Sequence, residues 1–195
     1  DWHGTLEHYE QSKRTIVREQ AEGDGVVLGP GADHWETNFG VHRRVAAPEV
    51  GIEGLAIPGR HNAFNGAVAA AAIELAAPTV GTARIEQALR SFAGLAHRLE
   101  LVGEARGVRF YNDSKSTTPE ATVRAVEALH ESLPRAVGRV HLIAGGYDKQ
   151  VDLSAIAGLA GQLAGLYTIG ATGRGLADGA GDRFFCESVE GAMER

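Results

Sequence analysis

The chain has 195 residues and a mass of 20.5 kDa, with 44% hydrophobic and 23% charged residues, enough apolar material to bury a core in one or two domains. Its net charge of −6 divides into −4 over the first 95 residues (8 basic, 12 acidic) and −2 over the rest (11 basic, 13 acidic), so neither half carries the basic field of a general nucleic-acid binder. The single cysteine, Cys186, excludes an intrachain disulfide framework and fits a reducing cytosol, and no apolar run approaches the ~20 residues of a membrane span.

Leu6, Tyr9, Ile16 and Val17 recur near helical spacing among charged neighbours, which predicts an amphipathic helix over residues 5–21 that ends before Gly23. Val26-Val27-Leu28 reads as a short buried strand, and the alternating stretch 33–57, with Gly40, Gly51 and Gly54, as short antiparallel strands joined by turns. After Pro58-Gly59 an alanine-rich helix is expected over 63–77 and another over 82–91, followed by a hinge at 92–96. Beyond it the pattern changes to alternation: strands at 99–104 and 108–112, helix 119–131, strand 139–144, helix 153–164, strand 166–169, helix 174–180, strand 183–185 and helix 187–195. Such alternation predicts an α/β fold with a parallel sheet and helices on its faces. The chain opens on Asp1, and its last residues read as a helix cut in its course, so a fragment of a longer protein is expected.

Polar groups gather at several junctions. Asn112-Asp113-Ser114-Lys115-Ser116-Thr117 follows the strand 108–112 and precedes a helix started by Thr118 as N-cap and Pro119, the type of place where open α/β sheets hold ligands. A solvated, capped loop is the competing reading. Gly145-Gly146-Tyr147-Asp148-Lys149 ends the next strand, and Lys149 with Lys115 would offer two cations from two strand ends of one sheet, which favours an anionic ligand over a tight turn with a solvated lysine. Asn62 and Asn65, three residues apart on one helix face, could pair donors and acceptors as an adenine edge requires, although Asn62 alone also suits an N-cap. His97-Arg98 follows the hinge, where the arginine could reach a phosphate or form an ordinary salt bridge. Lys13 reads from pattern alone as a solvated helix lysine, and Asp1, His3 and His8 give only loose metal-ligand spacing. Gly170-Ala171-Thr172-Gly173-Arg174-Gly175 reads as a glycine-rich βα turn of little functional weight.

In this order, Pro58-Gly59-Arg60-His61-Asn62, His97-Arg98-Leu99-Glu100, Asn112-Asp113-Ser114-Lys115 and Gly145-Gly146-Tyr147-Asp148-Lys149 resemble the Mur ligases of bacterial cell-wall synthesis, and the Asn-Asp-Ser-Lys form points to their D-glutamate-adding members. The resemblance implies that residues 1–95 end a central P-loop-type ATPase domain and that 96–195 form a Rossmann-like carboxyl-terminal domain with a mainly parallel sheet. It implies ATP and Mg²⁺ as cofactors, and UDP-N-acetylmuramoyl-L-alanine and D-glutamate as substrates joined through an acyl phosphate. A cytoplasmic monomer with no nucleic-acid or membrane partner is expected. By motif position, Asn62 and Asn65 are implied adenine contacts, Arg98 a phosphate contact and Asp113 a ribose partner. Lys115 is implied near the transferred phosphate, and Thr117, Lys149 and His97 near substrate. Lys13, after Asp1-Trp2-His3 and Tyr9, matches a lysine that the family carbamylates, which would let it hold Mg²⁺ and act in catalysis. The family's glycine-rich phosphate loop and UDP-binding domain would lie before Asp1 and its last substrate loop after Arg195, so the 195 residues alone are expected to lack ligase activity. Two other readings are another amino-acid-adding ligase, of the folylpolyglutamate synthase type, and a non-catalytic nucleotide-binding remnant.

Overall fold

A computed structural model describes residues 4–29, 31–32, 34–37, 41–44, 54–133, 138–180 and 183–195, with backbone alone at 41–44 and 183. The chain divides into two compact units, residues 1–56 with 60–92, and residues 57–59 with 93–195.

In the first unit, α1 spans Leu6–Arg18. The Thr5 hydroxyl caps it by accepting the His8 N–H at 3.1 Å, and Glu7 and Arg18 sit at the ends where their charges suit the helix dipole. Of the apolar residues that predicted this helix, Val17 is buried, whereas Leu6 and Ile16 are exposed. Strand β1 (Gly25–Leu28) pairs with β2 (Val41–Arg44), and α2 (Arg60–Ala76) and α3 (Thr82–Ser91) complete the unit, with Val17, Leu28, Ala71 and Ile85 buried. The β1–β2 pairing is parallel, and β2, the strand described within 33–57, thus pairs with a strand outside that stretch, so the antiparallel pairing expected within it is not seen among the described residues. Alternation and glycine spacing mark a strand, but its direction depends on the path of the connection. Residues 45–53, part of the same expectation, lie outside the described residues.

The second unit opens with a hairpin, β3 (Glu100–Ala105) and β4 (Val108–Asn112), antiparallel from Glu100 opposite Asn112 to Ala105 opposite Val108. Arg106 and Gly107 turn it with φ of +53° and +79°, the two left-handed residues of a type I′ turn. Helix α4 (Pro119–Ser132) follows as expected, its N-terminus capped by Thr118 and opened by Pro119. Strands β5 (His141–Gly145), β6 (Gly165–Ile169) and β7 (Arg183–Glu187) form a parallel sheet with β6 in the middle. The parallel sheet is therefore present, but β3 and β4 pair with each other and not within it, since a two-residue loop can only join antiparallel neighbours.

The remaining helices are short: α5 (Ser154–Ala157) with a 3₁₀ turn at Ala160–Gln162, α6 (Gly173–Gly179) and α7 (Val189–Met193). The expected helix 153–164 breaks at Gly158, a residue that disfavours helix by about 1 kcal/mol relative to alanine. Val126, Ile156, Leu159, Leu163, Leu166, Leu176 and Ala180 form one buried cluster, against which Val140, Leu142 and Ala144 of the β5 region pack. On β6 the alternate residue Tyr167 stacks between His141 and Phe184, with ring centroids 5.8 and 5.4 Å apart. Among the described residues, no helix is long and apolar enough to cross a membrane. Leu166 is fully buried at the centre of the cluster, so Leu166→Ala is expected to destabilise the second unit by about 2–5 kcal/mol in a denaturant titration.

Candidate functional site

The β3–β4 ladder stops at Glu100 opposite Asn112, so residues just outside it lose their strand partners. Leu99 is buried, and its N–H needs an acceptor. The Asp113 carboxylate supplies one: Oδ1 accepts the Leu99 N–H at 2.8 Å, and Oδ2 accepts the Ser116 hydroxyl. Around this pair the two segments are stitched further. The His97 carbonyl accepts the Lys115 N–H at 3.0 Å, Glu100 Oε2 accepts the His97 N–H at 2.8 Å, and the Asn112 amide lies 2.8 Å from His97 Nδ1. His97 and Leu99 adopt φ of +66° and +46°, a left-handed backbone that costs non-glycine residues on the order of 1–3 kcal/mol. Strain of that kind concentrates at ligand sites, where surrounding contacts hold it.

Arg98, Lys115 and Thr117 are exposed outside this knot; His97 is also exposed but its ring meets the Asn112 amide, and Asp113, within the knot, is half-buried. Because the Lys115 N–H binds the carbonyl of the residue before Arg98, two cations leave adjacent backbone. Among the described residues each Asp113 carboxylate oxygen accepts one hydrogen bond, and a carboxylate has about four acceptor positions, so it retains capacity for a ligand hydroxyl.

A second close approach joins the loops after β5 and β6. Gly145 and Gly146 adopt φ of +126° and +138°, and a Cβ on Gly145 would lie 2.1 Å from the Ile169 carbonyl oxygen. Gly170 in turn leaves no room for a Cβ, which would come 2.7 Å from the Gly146 Cα. Thr172 closes the contact: its Oγ1 accepts the Gly146 N–H at 3.1 Å, and its own N–H binds the Gly146 carbonyl at 3.1 Å. The Gly170 turn, given little weight from sequence, is thus what holds the Gly145-Gly146 turn, and Thr172 went unrecognised. The signal available was a glycine pair or doublet at two successive strand ends. Lys149 is exposed beyond this turn, where Asp148 Oδ1 accepts the Gln150 N–H at 2.7 Å. Lys149 follows β5 of the parallel sheet and Lys115 follows β4 of the hairpin, so the expectation that both leave one sheet is corrected.

Three expected site residues belong to the first unit. Asn62 and Asn65 share a face of α2, with Asn65 Nδ2 donating to Asn62 Oδ1 at 3.5 Å. The helix starts at Arg60, so Asn62 lies inside its first turn and is not the N-cap. Lys13 is exposed on α1, its Nζ 5.2 Å from the centre of the Tyr9 ring. Next to it, hydrogen bonds from Arg14 and then Trp35 hold the Glu10 carboxyl below the ordinary carboxylate range. Asp1 and His3 lie outside the described residues. Among the described residues no three His, Cys, Asp or Glu side chains gather where they could hold a metal ion.

The site is thus built on an α/β domain whose polar loops project exposed cations from a strained, hydrogen-bonded crossing. The family described as "Mur ligase, glutamate ligase domain" matches residues 97–195, the greater part of this unit. Curated relatives named UDP-N-acetylmuramoylalanine–D-glutamate ligase include that of Acidobacterium capsulatum, 32% identical over 201 residues that cover 87% of this chain and 42% of the relative. The protein of that name from Caldanaerobacter subterraneus is 43% identical over 98 residues, 50% of this chain and 20% of the relative. Among solved structures, MurF from Acinetobacter baumannii superposes with a TM-score of 0.67 at 18% identity, covering 93% of this chain and 46% of that one. MurC from Thermotoga maritima gives 0.55 at 17% identity over 67% of this chain and 30% of that one. These two share the fold. The chain belongs to the Mur ligase family, and it spans less than half the length of these relatives.

The crossing depends on Asp113, because truncating it leaves the Leu99 N–H without its acceptor. Asp113→Ala is expected to cost about 1–3 kcal/mol, read as a lowered thermal midpoint, whereas Asp113→Asn keeps an acceptor for Leu99 and loses less. Equal midpoints for wild type and Asp113→Ala would show that the carboxylate does not pin the two segments.

Proposed function

We propose that the intact protein joins D-glutamate to the carboxylate of UDP-N-acetylmuramoyl-L-alanine at the expense of ATP, a step of peptidoglycan synthesis. The observation that carries this reading is the pair of exposed cations, Arg98 and Lys115, on backbone joined by the Lys115 N–H to His97 carbonyl bond, in a domain of glutamate-ligase description. The names of the curated relatives support the particular substrates.

In the reaction the substrate carboxylate attacks the γ-phosphorus of ATP, and ADP leaves with the electrons of the broken P–O bond. The resulting acyl phosphate is attacked by the amine of D-glutamate, which loses a proton as phosphate departs and the amide forms. Charge accumulates on phosphoryl and carboxylate oxygens throughout, so the protein's part is positioning and neutralisation. On this reading Lys115 acts at the transferred phosphoryl group and Arg98 at the nucleotide phosphates. Asp113 offers its remaining acceptor capacity to a ribose hydroxyl, and His97, Thr117 and Lys149 serve the amino-acid substrates. Asn62 and Asn65 present amides to the adenine edge. The first unit is then the end of the ATPase domain, and the second the carboxyl-terminal domain.

Lys13 and Tyr9 form a cation–ring pair in α1, and an unmodified ammonium is no metal ligand, so Lys13 in this form does not fit a Mg²⁺ site. The enzyme is read as a cytoplasmic monomer.

Full-length protein is expected to release phosphate from ATP only when both UDP-N-acetylmuramoyl-L-alanine and D-glutamate are present. Lys115→Ala is expected to lower that rate by about 10²-fold or more. Unchanged turnover in this variant would remove the role given to Lys115, and turnover with a different amino acid or acceptor would assign another ligase specificity.

A further inference from the structure

The Asn112 side chain is held at both ends. Its Oδ1 accepts the Ser114 N–H at 3.1 Å, a bond that only the oxygen can make, because a flipped amide would set two donors against each other. The amide orientation is therefore fixed by the backbone, and the NH₂ group is the end that faces His97 Nδ1 at 2.8 Å. An NH₂ group donates, so Nδ1 must accept. In the neutral imidazole the proton then resides on Nε2.

The ring is anchored to a backbone that is itself constrained. His97 has φ of +66°, its N–H is taken by Glu100 Oε2 and its carbonyl by the Lys115 N–H. We propose that Asn112 is a positioning residue that fixes His97 as the neutral Nε2–H tautomer, so that His97 meets its ligand as an uncharged hydrogen-bond donor and not as a base. A donor suits an acceptor oxygen, such as that of a carboxylate or phosphoryl group. This use of the imidazole rests on the ligase reading above, whereas the tautomer exists without any substrate.

The chain contains eight histidines, so the test uses ¹⁵N-histidine-labelled protein and long-range ¹⁵N–¹H spectra, with the His97 signals assigned by their loss in His97→Gln. At a pH about two units above the ordinary histidine value of about 6.5, wild-type His97 is expected to carry its proton on Nε2. Asn112→Asp keeps an oxygen for the Ser114 N–H and turns a second acceptor toward Nδ1, so the proton is expected to move to Nδ1. A wild-type proton on Nδ1 overturns the proposal, as does an unchanged tautomer in Asn112→Asp with the thermal midpoint retained. Should that variant fail to fold, the wild-type spectrum decides alone. Because the spectrum needs neither ATP nor acceptor, failure of the ligase reading leaves it interpretable.

Discussion

Everything at the candidate site depends on how the open end of the β3–β4 hairpin is closed. Inside the hairpin, ladder bonds satisfy the backbone, but past Glu100 and Asn112 the strands diverge and the buried Leu99 N–H has no strand partner. The carboxylate of Asp113 stands in for the missing ladder carbonyl. Hydrogen bonds to a charged acceptor contribute about 1.5–3 kcal/mol, and neutral ones about 0.5–1.5, so this carboxylate and the neighbouring bonds to His97 are of the size needed to hold two left-handed residues.

Closure of this kind has an electrostatic result. It directs the carboxylates of Asp113 and Glu100 and the polar groups of Asn112 and Ser116 toward contacts within the chain, with both carboxylates half-buried, while Arg98 and Lys115 stay in solvent. The loop therefore shows an anionic ligand mainly its cations, although the chain as a whole is acidic. Net charge would never have revealed this, because the effect arises from which charges are turned inward.

Much of the fold is legible in the residues themselves. The Thr118-Pro119 start of α4, the limits of α3 and β4, and the parallel strands β5 to β7 all follow from caps, glycine stops and β-branched runs. Strand direction is harder. The β1–β2 pairing is set by a connection whose path is not written in residue type, whereas the β3–β4 hairpin is marked by Arg106-Gly107 and could have been read. At the site, the polar residues at 97–98 and 112–117 stand out by type and spacing, but their mutual pinning does not. Which carboxylate oxygen meets which N–H depends on the register at the end of a hairpin, and that is a tertiary fact. Thr172 was missed for the same reason, since its partner, Gly146, is distant in sequence.

The interlocked glycines also determine where movement can occur. With Gly145 against Ile169, Gly170 against Gly146, and Thr172 bonded to both the N–H and the carbonyl of Gly146, the two turns form one rigid piece up to that carbonyl. Tyr147, Asp148 and Lys149 lie immediately beyond it and are exposed. Any swing of the Lys149 ammonium toward or away from a ligand must therefore arise beyond the Gly146 carbonyl, in the backbone of Tyr147 to Lys149 and in the lysine side chain itself, while the base of the loop stays in place.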